Sequence, residues 1–272
     1  MIPLYQEEAG IPDLAAGLEP FLEREAERRP VEVVLVDDGS TDASWSLLRH
    51  HFADRHDCVL LRHPHNLGLG AALETGSVAA RGDYIAWFDS DLTYQPELLG
   101  QFATELDRGK DVALSSCYHP DGGIDGVAKW RLALSRAASR LYRSAVRWRH
   151  TAGPPTPLHT YTSMVRAYRR EVLARSRARR GGFLAVTEVL LRALCSGAQC
   201  VEVPAVLARR RTGQSKMRIL RVAIGHLGLV TAFLSGRLDQ PLAEGLPLRE
   251  SLDPQGAPFE TLLGDRENTP NG

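Results

Sequence analysis

Two groups of aspartates stand where the chain leaves short apolar runs, and their residue types suit metal and phosphate chemistry. Asp37 and Asp38 follow the run at residues 33–36, and Asp89-Ser90-Asp91 follows the run at residues 84–88. In parallel α/β sheets, ligands bind outside the carboxyl ends of the strands. Carboxylates one residue apart can both reach Mg²⁺, which completes its shell with substrate phosphates. Asp89 and Asp91 therefore predict a metal–diphosphate site, although aspartates also suit turns and helix caps.

The elements that must position these aspartates alternate between strands and helices. Short apolar runs indicate four strands, at residues 33–36, 58–61, 84–88 and 112–115. Helical patterns follow three of them, one capped by Ser40 or Thr41 and ending near Phe52, the others near residues 69–80 and 96–106. This alternation predicts an α/β fold with a mostly parallel central sheet and helices on both faces. The opening residues 1–3 leave little of a first strand, so we expect a truncated strand or a start further upstream.

The second half of the chain has a different pattern. Helical periodicity indicates helices near residues 128–149, 184–196 and 217–235, with a strand near 200–206. We expect residues 1–238 to form one domain. Residues 239–272 are rich in Pro, Gly and acids without periodicity, so we expect a disordered tail there.

Charge is divided unevenly along the 272 residues, although 33 basic residues balance 33 acidic ones. Residues 1–125 hold 23 acids and 9 bases, and residues 126–272 hold 10 acids and 24 bases. This asymmetry favours an anionic partner, or else a basic face that folds back on the acidic half. The acidic half and the lack of a recognised nucleic-acid-binding motif argue against nucleic acid as that partner.

Composition narrows the class of protein further. With 43% hydrophobic and 24% charged residues, the chain is neither disordered nor a coiled coil. Its four cysteines form no CxxC pair, so we expect neither a disulfide framework nor a zinc site, and a reducing compartment fits best. The longest apolar run, at residues 222–234, is too short to span a bilayer. We therefore expect a cytoplasmic protein that is soluble or bound to a membrane surface.

Four motifs in order carry a family resemblance: Pro3-Leu4-Tyr5-Gln6-Glu7, Asp37-Asp38-Gly39-Ser40-Thr41-Asp42, Asn66-Leu67-Gly68-Leu69-Gly70 and Asp89-Ser90-Asp91. Together they resemble the family-2 glycosyltransferases of GT-A fold. The later segments at residues 161–170 and 210–216 are similar to the dolichol- and polyprenol-phosphate mannosyltransferase branch. The glycines at 68 and 70 also resemble a dinucleotide fingerprint, but its third glycine is missing and the motif does not follow the first strand.

The resemblance implies how a nucleoside diphosphate sugar binds. The residues implied to hold the base, the ribose and the nucleoside are Pro3, Tyr5, Glu7, Val36 and Asp38. Those implied to bind the diphosphate and its Mg²⁺ or Mn²⁺ are Asp89, Ser90 and Asp91. Arg210 and Lys216 are implied to close over the donor or acceptor phosphates from a loop, where guanidinium and ammonium groups fit the chemistry.

Four positions depart from the family pattern, and the mildest is Gln6, which replaces the usual asparagine of the first motif. Thr93 replaces a glutamine that is often the next ligand of the metal site, and Cys117 replaces an arginine that precedes a tyrosine. Thr160 replaces an acid that often precedes the Thr-Ser segment. These departures leave the mannose donor open.

The resemblance implies transfer of a hexose, with inversion, to a polyprenyl-phosphate carrier. An acceptor phosphate is already an anion at neutral pH and needs no general base. A saccharide or lipid hydroxyl, the alternative acceptor, needs one, and Glu188 is the candidate, unless it only anchors a loop. A non-catalytic nucleotide-sugar-binding protein is the third hypothesis.

Two segments could hold the protein at a membrane. Residues 124–150 combine arginines with Trp130, Leu134, Leu141 and Trp148, and residues 217–235 are amphipathic. Such helices suit an anionic membrane surface, or they pack on the domain. We therefore predict a peripheral enzyme at the inner face of the membrane.

Overall fold

The structure is a computed structural model and describes residues 1–149, 158–210, 219–240 and 260–263. Its strands are β1 (Ile2–Leu4), β2 (Val33–Asp37), β3 (Cys58–Arg62), β4 (Tyr84–Trp87), β5 (Val112–Ser116), β6 (Gly123–Ile124), β7 (Arg166–Arg169), β8 (Cys200–Pro204), β9 (Val206–Leu207) and β10 (Glu260–Leu263). Its helices are α1 (Ile11–Ala26), α2 (Ser44–Phe52), α3 (Leu69–Ala79), α4 (Glu97–Asp107), α5 (Lys129–Arg149), α6 (Arg170–Arg175), α7 (Phe183–Cys195) and α8 (Ile219–Leu234).

The central sheet has two parts that meet at β1 and β4. In the first part β1, β2 and β3 are parallel, and in the second β7 lies antiparallel between β4 and β5, with β8 parallel to β5. The Phe88 N–H donates to the Met1 carbonyl at 3.1 Å and joins the two parts. The predicted α/β arrangement with a mostly parallel sheet is confirmed, and the sequence patterns did not indicate β6, β7 or β10.

The structure gives the bounds of the first strand and corrects the predicted start of the helix after β2. The first strand is short but present, because Pro3 pairs with Val36 in the parallel ladder. Helix α2 begins at Ser44 rather than after Ser40 or Thr41. Ser40 does not cap the helix, because its N–H donates to Asp37 at 3.1 Å and its hydroxyl accepts the Gln6 N–H at 2.8 Å.

The predicted disordered tail contains one ordered element. Residues 260–263 form β10, which pairs antiparallel with β3. A parallel strand at the border of a sheet exposes unpaired backbone groups, and an added strand satisfies them. Residues 241–259 and 264–272 lie outside the described residues.

The strands bury alternate side chains on the two faces of the sheet, as a period of two requires. On β2, Val34 and Val36 pack with Ala72 of α3, while Leu35 packs on the opposite face with Leu60. That second face is covered by α1, α2 and α4. The sheet is therefore buried on both sides near the carboxyl ends where ligands are expected.

Helices α5 and α8 lie side by side and run in the same direction. The Tyr142 hydroxyl is 2.7 Å from Nδ1 of His226, and two turns further on Arg149 donates to the Phe233 carbonyl at 2.7 Å. Within the described ranges, the structure contains no helix long and apolar enough to cross a bilayer. The predicted segments at 124–150 and 217–235 are thus helical over the residues of α5 and α8.

Candidate active site

Four charged side chains from three distant parts of the sequence meet at the end of β1 and β4. We call Glu7, Asp89, Asp91 and Arg210 the acidic cluster. The Arg210 guanidinium hydrogen-bonds to Glu7, and its Nε lies 3.5 Å from the Asp91 carboxylate. All three of these side chains are largely buried. The structure therefore brings together four of the predicted donor- and phosphate-binding residues.

The electrostatics of the acidic cluster favour a cationic partner. Burial raises the pKa of Asp89 to about 7, with the Asp91 carboxylate and then that of Glu7 adding to the rise, while Arg210 opposes it. Carboxylates this close cannot all ionise without a nearby positive charge. The site is thus poised to exchange protons or to bind a cation near neutral pH.

Two serines hold the Glu7 side of the site. The Gln6 N–H donates to the Ser40 hydroxyl and the Glu7 N–H to the Ser44 hydroxyl, both at 2.8 Å. These bonds fix the turn after β1 against the turn after β2. The sequence patterns gave Ser40 only a capping role and did not single out Ser44.

The Asp91 side is fixed by the backbone. The Thr93 N–H donates to the Asp91 carboxylate at 3.2 Å, and the Thr93 carbonyl accepts the Ala208 N–H at 2.9 Å. The second bond ties the segment that carries Arg210 to the turn that carries Asp91. Thr93 therefore contributes to the site through its backbone N–H and carbonyl, and these two contacts do not depend on its side chain.

Backbone strain is concentrated beside these carboxylates. Among the described residues, two that are not glycine adopt positive φ: Gln6 at 52° and Leu92 at 50°. Gln6 precedes Glu7, and Leu92 follows Asp91. Leu92 also packs so closely on Gly17 that a Cβ there would lie 2.6 Å from its Cδ1. Strain of this kind is typical of positions at which function dictates the backbone.

The Asp38 carboxylate is engaged by hydrogen bonds within the protein, which gives this residue a positioning role. Its oxygens accept the N–H groups of Leu67 and Gly68 at 2.9 and 2.8 Å and the Asn66 amide at 3.0 Å, and one lies 2.7 Å from Nδ1 of His63. The carboxylate therefore occupies the N-terminus of α3 and anchors the turn before it. These partners are all protein groups, and the predicted contact of this side chain with the nucleoside stays a prediction.

The other predicted nucleoside contacts differ in exposure. The Val36 side chain is fully buried between β2 and α3, and Pro3 is buried within β1. Val36 thus presents no side chain to a ligand, because its Cβ points into the core. Tyr5 and Ser90 are half-buried at the ends of β1 and β4, where a ligand can reach them.

Glu188 lies apart from the acidic cluster, inside an ion-paired network. Its side chain is 0% exposed, and Oε1 accepts bonds from Arg192 at 3.0 Å. Oε2 accepts the backbone N–H of Arg180 at 2.9 Å, and the Arg180 guanidinium is 3.7 Å away. Both oxygens of this buried carboxylate are thus engaged by arginine donors, which leaves neither of them open to take a proton from a substrate hydroxyl. The contacts favour the loop-anchoring role over the catalytic one.

The structure shows what surrounds Cys117 and Thr160, two of the positions that depart from the family pattern. Cys117 is buried, and burial raises the pKa of its thiol. Thr160 bonds to the Ser116 hydroxyl at 2.8 Å, and its N–H donates to Glu202 at 2.6 Å. Glu202, from β8, thus brings an acid beside the position at which the family often has one. Sequence reasoning missed this residue because it is 42 positions away.

Metal chemistry can be tested against the side chains present. The described residues include no group of three or more histidines, cysteines, aspartates or glutamates that could hold a metal ion. Two close carboxylates, Asp89 and Asp91, still fit Mg²⁺ bound together with substrate phosphates, because that ion needs only one or two protein carboxylates. Lys216 lies outside the described residues.

Comparison with known sequences identifies the family. Residues 1–176 match the family described as glycosyl transferase family 2. The chain is a family-2 glycosyltransferase. This confirms the resemblance drawn from the four motifs, and the protein is therefore a glycosyltransferase enzyme.

Curated relatives of this glycosyltransferase include lipid-phosphate sugar transferases. It is 28% identical over 247 residues to the polyprenol monophosphomannose synthase of Mycolicibacterium smegmatis, with 88% of each chain covered. It is 26% identical to the dolichol-phosphate mannosyltransferase of Pyrococcus furiosus, over 80% of this chain and 58% of that one. It is 33% identical to the undecaprenyl-phosphate 4-deoxy-4-formamido-L-arabinose transferase of Pseudomonas paraeruginosa, over 85% and 63%. It thus spans about three-fifths of the length of the latter two. The predicted likeness to the polyprenol-phosphate branch is confirmed.

Solved structures confirm the GT-A fold. The glycosyltransferase superposes on the glucosyl-3-phosphoglycerate synthase of Mycobacterium tuberculosis in complex with Mn²⁺, UDP and glucosyl-3-phosphoglycerate with a TM-score of 0.61, at 19% identity, over 89% of this chain and 80% of that one. The same synthase with Mg²⁺ and UDP gives a TM-score of 0.59 at 20% identity, over 89% and 79%. At these identities the likeness concerns the fold alone.

Proposed function

We propose that this glycosyltransferase moves a hexose from a nucleoside diphosphate sugar to a polyprenyl-phosphate acceptor, with inversion and with Mg²⁺ or Mn²⁺. The observation that carries the proposal is the acidic cluster, in which two strand-end carboxylates face a guanidinium. Relatives that use polyprenol, dolichol or undecaprenyl phosphate support the acceptor class. The Mn²⁺, Mg²⁺ and UDP in the mycobacterial synthase structures support the donor class and the metal.

In this proposal the residues of the site act on the leaving diphosphate. Asp89 and Asp91 would hold the divalent ion, which when bound supplies positive charge to the diphosphate. Arg210 adds a second positive group from the tethered segment after β9, and Lys216 is proposed to act beside it. Charge that develops on the departing diphosphate is stabilised most by groups fixed in place beforehand.

The surroundings of Glu188 favour a phosphate acceptor over a hydroxyl. A hydroxyl acceptor needs a general base, and the carboxylate best placed in the sequence for that role is buried between Arg180 and Arg192. A phosphate acceptor is already ionised near neutral pH, because its second pKa is about 6. The chemistry therefore needs no proton acceptor at this position.

We also propose that α5 and α8 hold the enzyme at the inner face of an anionic membrane. Trp148 on α5 is 69% exposed and Ile224 on α8 is 63% exposed, and Trp130, Leu134 and Leu227 are exposed as well. Exposed arginines accompany them on α5: Arg131, Arg136, Arg140 and Arg147. Apolar side chains beside basic ones are typical of helices that lie in a membrane surface.

A donor–acceptor screen tests the enzymatic proposal. Purified protein with Mn²⁺ or Mg²⁺ is incubated with a panel of nucleotide sugars and polyprenyl phosphate, and organic-extractable sugar is measured. Lipid-linked sugar should form with the wild type and vanish in Asp91→Ala, while the matched change at an exposed aspartate, Asp54→Ala, leaves it unchanged. Hydrolysis of donor without lipid product would favour a hydroxyl acceptor, and donor binding without turnover would favour a non-catalytic protein.

Vesicle sedimentation tests the membrane proposal separately. The variant Trp130→Ala/Trp148→Ala should bind less well to anionic vesicles, whereas Val78→Ala, at an exposed apolar position on α3, should bind normally. Wild-type protein that stays in the supernatant at low salt would contradict the membrane proposal without touching the enzymatic one.

A further inference from the structure

A basic cavity lies between α7 and α8. Its volume is about 550 Å³, and four arginines and one glutamate line it: Arg179, Arg180, Arg192, Arg237 and Glu188. We call it the arginine pocket. None of the residues of the acidic cluster lines it. Its volume lies within the range of small-ligand sites.

The floor of the arginine pocket is already balanced in charge. Glu188 pairs with Arg192, which is 4% exposed and also donates to the Leu238 and Gln240 carbonyls at 3.2 Å. Arg180 covers the other carboxylate oxygen and donates to the Gly228 carbonyl at 3.4 Å. The single negative charge of Glu188 thus lies between two guanidiniums, Arg180 and Arg192. The floor therefore has an excess of one positive charge.

The rim carries two further guanidiniums. Arg179 and Arg237 are exposed at the mouth, and neither forms an ion pair with any residue in the described part of the chain. The formal charge of the pocket is therefore three positive units from four arginines and one glutamate. On the α8 side, the small residues Gly228 and Ala232 line the pocket, and they leave room for a ligand.

We propose that the arginine pocket binds a phosphate group, as a second anion site separate from the acidic cluster. Guanidinium groups bind phosphate oxygens in pairs of parallel hydrogen bonds, and several arginines around one cavity favour a doubly charged anion. The phosphate can belong to a soluble molecule or to the headgroup of an anionic lipid. The exposed Ile224 and Leu227 on α8 place an apolar surface on the same helix.

Calorimetric titration with inorganic phosphate tests the proposal. It is performed on the wild type and on Arg210→Gln, so that binding at the acidic cluster is removed in the second case. In both backgrounds Arg179→Gln/Arg237→Gln should raise the phosphate dissociation constant at least about tenfold, as loss of a charge-assisted contact predicts. The control Arg28→Gln/Arg49→Gln removes two exposed arginines elsewhere and should leave the constant unchanged.

Two further measurements locate the site and its ligand. Hydrogen–deuterium exchange should show phosphate protecting residues 228–238. Sedimentation with phosphatidylcholine vesicles, with and without phosphatidylglycerol, separates the sources: loss of anionic-vesicle binding in the pocket variant identifies a lipid headgroup, and unchanged vesicle binding identifies a soluble phosphate. The proposal is overturned if wild type and pocket variant bind phosphate and vesicles equally, or if the wild type binds neither.

Discussion

Replacement of Glu188 by Gln tests whether this residue anchors a loop or acts as a base. The substitution removes the charge opposite Arg192, whose guanidinium is 4% exposed, and replaces two acceptor contacts of 3.0 Å. Removal of one partner of a buried ion pair costs about 3–5 kcal/mol, because the other charge stays buried and unbalanced. For a domain of this size that corresponds to a fall in Tm of roughly 6–20 °C.

Thermal and urea unfolding measure this change. The control is Glu97→Gln, since Glu97 pairs with Arg24 and both side chains are more than half exposed. Solvent screens such a pair, so the control should lose less than about 1 kcal/mol. The double variant Glu188→Gln/Arg192→Met removes the unbalanced charge and should recover part of the lost stability.

Turnover in the same variants completes the test. If Glu188 anchors a loop, Glu188→Gln should keep the pH profile of the wild type at temperatures at which the variant is folded. The reasoning from the structure is refuted if the variant unfolds like the wild type, yet loses turnover together with the acidic limb of its pH profile.

Two further predictions concern the acidic cluster and the turn after β2. Because burial raises the pKa of Asp89 to about 7, the folded chain retains a proton that the unfolded chain has released, so stability falls as pH rises toward 7. In thermal unfolding with a chelator, Asp89→Asn should raise Tm more at about pH 8 than at about pH 5; an equal gain at both would contradict this. Gly39 has φ of 71° and a Cβ there would lie 2.3 Å from the His65 carbonyl carbon, so Gly39→Ala should cost at least about 1–3 kcal/mol in urea unfolding. Gly181→Ala, where a Cβ meets nothing within 4 Å, should be nearly neutral, and equal losses in the two variants would contradict the steric argument.

The strands that carry continuous apolar runs could be predicted from the sequence. Strands β2, β3, β4 and β5 all lie within one residue of their predicted bounds, because a strand covered on both faces needs apolar side chains at every position. The carboxylates after β2 and β4 followed from the same rule. Asp89 and Asp91 could therefore be located before the fold was known.

Strand β7 could not be predicted, because its residues do not look buried. Its sequence, Arg-Ala-Tyr-Arg, begins with Arg166, which is 0% exposed. Two guanidinium nitrogens donate to the Val186 and Tyr161 carbonyls at 3.1 and 3.2 Å, and also to Ser163, while the buried Nε has no hydrogen-bond partner among the described residues. One of these partners, Val186, is 20 residues away and lies on α7, so no pattern within β7 indicates that Arg166 is buried.

The roles of single carboxylates were equally hard to predict. Asp38 and Glu188 stand at positions that suit ligand binding or catalysis, yet each is held by hydrogen bonds from backbone or arginine donors. A sequence shows which residues can be charged but not how many donors surround each one. Arg210, by contrast, lies beside Glu7 and Asp91, and the phosphate contact that the resemblance implies for it stays a prediction.

The pairing of β8 with β5 bears on how this enzyme can be recombined with its relatives. The family match ends at residue 176, but β8 completes the hydrogen bonding of β5 only at residues 200–204, and the segment after β9 delivers Arg210. In a chimera joined at residue 176, the paired strands β5 and β8 would come from different parents. The side chains that pack on these two strands would then not be matched to each other. A junction between Lys216 and Ile219 keeps β1 to β9, the acidic cluster and Lys216 from a single parent and exchanges only β10 of the sheet. Exchange of segments there should test acceptor choice with donor binding unchanged.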